Sequence, residues 1–316
     1  MNPPYKQAIA VILGPTGVGK TDLSILISKE IPVEIISADS RQIYKLLDIG
    51  TAKPSPQILT EIPHHFINYL DLDQYYSAGQ FGKEARLTIM QIFARGRIPL
   101  VVGGSGLYIK ALLKGFFEGN VVNLEIRQSL QKRLEEEGSK ALYKELLVLD
   151  RESASKIHPN NSKRVLRALE VCLVTGKKFS SLQKNKPAPI PYRILKFGIN
   201  KSRNKLYQDI NSRVDLMFQN GLVSEVTRII ELGYDINLNS INTVGYKEVI
   251  RLLKGEIDQN TCIEQVKQNS RRYAKRQLTW FRAEKDIQWY ILENSEDLKM
   301  VASDIVNAIS NFKILK

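Results

Sequence analysis

Residues 8–13 (Ala-Ile-Ala-Val-Ile-Leu) form an unbroken apolar run, as in a strand buried on both faces of a parallel sheet. A glycine-rich turn follows, and the spacing beyond it predicts a helix over 20–30 that stops before Pro32. Residues 33–38 read as a second strand ending at Asp39. From 46 to 76 the chain is polar and broken by Pro54, Pro56 and Pro63, which predicts a long loop with short helical pieces. Ser77 and Gln80 match a capping box, so a helix is expected from there to about Arg95, closed by Gly96. Residues 98–102 form the next strand; Gly103-Gly104-Ser105-Gly106 and a helix to 114 follow it. Strand and helix in alternation predict an α/β fold, a P-loop NTPase-like parallel sheet.

The pattern changes between 116 and 191. Strand signals vanish, and 124–148 and 163–174 read as amphipathic helices. In the second, Val165, Leu166, Leu169 and Cys172 oppose Lys163, Arg164 and Arg167. A proline-rich stretch over 184–191 leads back to a strand over 192–199, a mainly helical C-terminal part and a last strand near 288–292. The expected division is a catalytic core of 1–115 and 192–316 carrying a helical insertion over 116–191.

Composition narrows the class. No run approaches the ~20 apolar residues of a membrane span, and residues 1–7 are too short and polar for a signal peptide, so a cytoplasmic protein is expected. Cys172 and Cys262, with three histidines in all, make neither a zinc pattern nor a disulfide framework. His64-His65 lacks a suitably spaced partner and is read as a loop. The formal net charge is +13: residues 1–115 hold 12 Lys+Arg against 9 Asp+Glu, and the remainder 34 against 24. The positive field therefore comes mostly from the second part and points to a polyanionic partner.

Gly14-Pro15-Thr16-Gly17-Val18-Gly19-Lys20-Thr21 fits G-x-x-x-x-G-K-[ST] between strand and helix. In such a loop, backbone N–H groups and the helix N-terminus converge on phosphate oxygens, the lysine meets the outer phosphate, and the Thr21 hydroxyl can ligate Mg²⁺. The motif does not name the phosphate ester. The strand over 98–102 ends in glycines where ordinary P-loop ATPases place a magnesium-holding Asp, and Asn185-Lys186-Pro187-Ala188 lacks the Asp of a guanine site. Asp39, at the carboxyl end of a strand next to the phosphate loop, lies in the crevice where open α/β sheets bind ligands. Position alone leaves it equally a Mg²⁺ ligand or a general base. Near the C-terminus, Lys267, Arg271, Arg272, Lys275, Arg276, Arg282 and Lys285 interleave with Tyr273, Trp280 and Phe281, a mixture suited to an RNA backbone and unstacked bases.

Over essentially its full length the chain resembles bacterial tRNA dimethylallyltransferases (tRNA isopentenyltransferases). The most specific matches are Asp48-Ile49-Gly50-Thr51-Ala52-Lys53-Pro54 and Lys275-Arg276-Gln277-Leu278-Thr279-Trp280; Gly103–Tyr108, Ile157-His158-Pro159-Asn160 and Val244-Gly245-Tyr246 add to them. The resemblance implies transfer of a dimethylallyl group from dimethylallyl diphosphate to N6 of the adenosine 3′ of the anticodon, in tRNAs reading codons that begin with U. It makes Asp39 the base near N6, with Ser40, Arg41, Gln42 and Ser105 around the flipped-out nucleotide. Thr16 to Thr21 would hold the diphosphate and Arg213 would clamp it. Arg127, Lys163, Arg164, Val165, Leu166 and Arg167 would meet tRNA from the insertion, with Arg271, Arg272, Lys275 and Arg276 from the C-terminal part. Ser105 stands where many members carry Thr. A Mg²⁺-dependent monomer is expected. The rival expectations are a P-loop small-molecule kinase, which consumes ATP without tRNA, and a non-catalytic NTP-dependent RNA-binding protein.

Overall fold

A computed structural model describes residues 7–115, 123–184 and 189–314. Asn185-Lys186-Pro187-Ala188 falls outside the described residues. The chain forms two compact units: Met1–Tyr76, Glu84–Ile109 and Pro191–Lys316 make one, and Ser77–Lys83 with Lys110–Ile190 make the other.

The first half runs β1 (Ala8–Leu13), α1 (Lys20–Glu30), β2 (Val33–Ser37), α2 (Pro56–Glu61), β3 (His64–His65), α3 (Ala78–Ala94), β4 (Ile98–Gly103) and α4 (Gly106–Lys114). Then come α5 (Leu124–Glu137), α6 (Ser139–Leu149), α7 (Arg151–Ser155), α8 (Ser162–Thr175) and α9 (Phe179–Lys184). The chain ends with β5 (Arg193–Asn200), α10 (Arg203–Gln219), α11 (Leu222–Glu231), α12 (Tyr246–Leu253), α13 (Gln259–Arg282), β6 (Gln288–Ile291) and α14 (Ser295–Ile314).

The six strands form one parallel sheet in the order β3-β2-β4-β1-β5-β6. The apolar run of β1 is central and buried from Ile9 to Leu13. Leu23 and Ile27 of α1 and Val301 and Ile305 of α14 join the same core, and burying each such side chain is worth about 1.5–3 kcal/mol. Three expectations change. His64-His65 is an edge strand paired with Ile35 and Ile36, not a loop. Its His65 Nε2 lies 2.7 Å from Glu34 Oε2, and Arg95 grips the same buried carboxylate at 2.7 and 3.0 Å. The expected helix over 124–148 is two helices, broken at Gly138, whose φ of 79° is left-handed. Finally β4 separates β2 from β1, so the strand leading to Asp39 is one removed from the phosphate-loop strand.

The helical unit has its own core of Leu130, Leu142, Leu146, Ala154, Val165, Ala168 and Leu169. Beside it, the wholly buried Asp150 accepts hydrogen bonds from backbone and hydroxyl of both Ser153 and Ser180 at 2.6–3.0 Å. That arrangement satisfies a charge which would otherwise be costly to bury.

Candidate active site

The glycine-rich turn leaves β1 and enters α1 through Gly17 and Gly19 at φ 80° and 102°, backbone angles that side-chain-bearing residues adopt only under strain. Lys20 curls back to donate to the carbonyls of Gly14 (2.9 Å) and Pro15 (2.8 Å). From α10, Arg213 Nη2 donates to Thr16 Oγ1 at 2.5 Å, while its buried Nε has no hydrogen-bond partner among the described residues. Burial pushes the Lys20 ammonium down to about 7, with Arg213 adding repulsion and the Asp39 carboxylate opposing both. Burial lowers Arg213 as well, again opposed by Asp39. Two basic side chains lining one cavity without an adequate counter-charge are a site waiting for an anion.

Asp39 follows β2. Its Oδ1 accepts from the backbone N–H of Arg41 (2.8 Å) and Gln42 (3.3 Å), and among the described residues Oδ2 takes no hydrogen bond. Ser105 anchors the same turn, its Oγ accepting from the Ser40 backbone N–H at 3.1 Å and its own N–H donating to Ala38 O at 3.1 Å. Gln42 turns the other way and donates to the carbonyls of Thr51 and Ala52. Arg41 is tied to the carbonyls of Asn239 and Ser240.

A cavity of about 460 Å³ brings these parts together. Thr16 to Thr21, Asp39 and Arg213 line it, with Thr51 to Ser55 on another wall and Ile25, Ile35, Ile58 and Ile67 making an apolar side. Thr21 and Asp39 are oxygen donors on one cavity. Mg²⁺ keeps most of its shell as water and phosphate oxygens, so one or two such protein oxygens fit it. Among the described residues no cluster of three or more His, Cys, Asp or Glu gathers elsewhere to hold a metal.

Several residues of the site carried no recognised role in the sequence. Gln277 of α13 accepts from the Thr16 backbone N–H (2.8 Å) and donates to Gly104 O (2.9 Å). Glu225 of α11 accepts from the N–H groups of Asp48, Ile49 and Gly50 and from the Tyr246 hydroxyl at 2.6–3.2 Å. Lys53, its side chain 3% exposed, donates to Tyr44 O, Asp48 Oδ1 and Asn68 Oδ1. The specific run over 48–54 signalled that this strap mattered; nothing in the sequence linked it to Glu225.

The expected tRNA contacts divide. Lys163, Arg164, Arg272, Lys275 and Arg276 are exposed. Val165 is fully buried and Leu166 packs against the same helical core, so their side chains build the scaffold that presents Lys163 and Arg164. Arg127 and Arg167 both bind the buried Glu170, at 2.9 Å each. Arg271 donates to Asn211 at 2.6 Å and lies 6.0 Å above the Tyr207 ring. Of the aromatics, Phe281 is core at 1% exposure, while Trp280 keeps 37%.

The IPP transferase family model matches residues 42–284. The chain belongs to that family. Its relatives include the tRNA dimethylallyltransferase of Thermotoga maritima, 44% identical over 307 residues, 97% of this chain and 99% of the relative. A crystal structure of the Staphylococcus epidermidis tRNA delta(2)-isopentenylpyrophosphate transferase matches at 39% identity and a TM-score of 0.68, covering 96% of this chain and 99% of that one. A eukaryotic dimethylallyltransferase acting on tRNA matches at 30% identity and TM-score 0.79, covering 98% of this chain and 79% of that one. In this IPP transferase no described helix is long and apolar enough to cross a membrane.

Proposed function

We propose that the chain transfers a dimethylallyl group from dimethylallyl diphosphate to N6 of the adenosine 3′ of the anticodon in tRNA. The observation that carries the reading is one cavity holding both an unsatisfied anion cradle, Lys20 and Arg213, and a carboxylate with a free oxygen, Asp39. The diphosphate lies on the N–H groups entering α1, where Lys20 and Arg213 offset the charge that builds as the allylic C–O bond breaks. Mg²⁺ held by Thr21 would supply further neutralisation of that leaving group. Asp39 Oδ2 orients the adenine amine and takes its proton as the C–N bond forms. Ser105, through Ser40, keeps the Asp39 turn in place.

The adenosine leaves its stack to enter the cavity. Lys163 and Arg164 of the helical unit and Arg272, Lys275 and Arg276 of α13 meet the tRNA backbone, whose phosphates dominate such affinities. Mass spectrometry of tRNA incubated with protein, Mg²⁺ and dimethylallyl diphosphate tests the reading: the modified nucleoside should gain one C₅H₈ unit. Unmodified tRNA, with ATP consumed on a small-molecule acceptor, would overturn it in favour of a kinase.

A further inference from the structure

Helix α13 is joined to the catalytic loops by one face. Tyr273 lies beside Ser105, Gln277 bridges Thr16 and Gly104, and Trp280 covers Gly106. These three lie at i, i+4 and i+7, one stripe of a helix. The glycines opposite are required by it. A Cβ on Gly104 would sit 2.2 Å from Gln277 Nε2, and one on Gly106 would sit 2.2 Å from the Trp280 ring. Neighbouring positions on the same helix, Arg272, Lys275 and Arg276, are exposed.

Gln277 is the centre of this stripe. It is 6% exposed, and both ends of its carboxamide are used. A neutral amide accepts from Thr16 N–H and donates to Gly104 O at once, and it carries no charge at any working pH. In consequence the Thr16 N–H is directed away from phosphate, and the diphosphate must rest on the N–H groups after it. The other end holds the carbonyl immediately before Ser105, the residue that steadies the Asp39 turn.

Building on the reading above, we propose that Gln277 is a positioning residue: it sets the diphosphate loop and the Ser105 turn in a common register from α13. It touches neither the allylic carbon nor the adenine.

The test uses the full chain with Gln277→Met and Gln277→Glu, reading inorganic pyrophosphate affinity without tRNA alongside steady-state kinetics. For the Met variant, folded by circular dichroism, the pyrophosphate Kd and the KM for dimethylallyl diphosphate should each rise about tenfold. The KM for tRNA should stay within about twofold, a split that a general loss of folded enzyme would not give. The Glu variant keeps the shape and covers the case in which Met fails to fold. Protonated, its carboxyl can reproduce both hydrogen bonds. Ionised, it loses the donor and places negative charge beside the loop, so its deficit in pyrophosphate affinity relative to the unsubstituted protein should grow from pH 5 to pH 8. Unsubstituted-level pyrophosphate affinity in both variants at every pH overturns the proposal. So does equal weakening of pyrophosphate and tRNA. Either result leaves prenylation by the unsubstituted protein intact, and failure of that prenylation would not alter the pyrophosphate comparison.

Discussion

Asp39 does two jobs with two oxygens. Oδ1 caps the N–H groups of Arg41 and Gln42, and Oδ2 is left for an acceptor. Replacing it by Ala removes both, whereas Asp39→Asn keeps a cap acceptor and removes the basic oxygen. The Asn variant should therefore retain its melting temperature and tRNA affinity while turnover falls by roughly 10²–10⁴. Normal turnover would take Asp39 out of the chemistry. Lys20 carries a separate consequence. With its ammonium held near 7 in the ligand-free loop, it is mostly neutral at pH 8. An arriving diphosphate favours the charged form and raises that value, so binding at pH 8 should take up close to one proton. Calorimetry in two buffers of different ionisation enthalpy reads this directly. A binding enthalpy independent of buffer would show Lys20 already charged.

Among the elements, the strap over 48–54 owes its shape to α11 and α12. Glu225 collects three of its N–H groups, and the Tyr246 ring fills the space a side chain on Gly50 would need. Glu225→Ala strips the acceptor from all three and from the Tyr246 hydroxyl, and should cost about 2–4 kcal/mol of stability in urea unfolding. A change below about 0.5 kcal/mol would mean water replaces the carboxylate freely. This strap also marks where sequence reading stopped. Long periodic elements were legible: β1, α1, β4 and α8 lie within a residue or two of their expected limits, because continuous burial or a 3.6-residue stripe leaves a strong trace. β3 was not, since two histidines carry no alternation and their strand exists only through pairing to β2. The break at Gly138 sits inside an otherwise continuous helical pattern of apolar positions, which masks it in the sequence. In the site, Asp39, Lys20 and Arg213 were found as single residues. Gln277 and Glu225 were not, because their roles are defined by partners 173 or more positions away.

On the scale of the whole molecule, the net charge of +13 supplies a long-range attraction to polyanions, and specific exposed cations decide its salt dependence. Arg272 and Lys275 are exposed on α13, whereas Arg271 is engaged with Asn211 and Tyr207 of α10. Removing Arg272 and Lys275 together should lower the slope of log affinity for tRNA against log salt by roughly 1.5. Arg271→Ala should leave the slope alone and lower the melting temperature instead. The reverse pattern would exchange their assignments. The same molecule protects one side of its sheet by economy of length. β3 has only two residues, and the carboxylate of Glu34 on the adjoining β2 is clasped by His65 and Arg95. A stray extended chain meeting that border finds too few open rungs to zip onto. Along this margin the sheet thus offers little for amyloid-like stacking to copy.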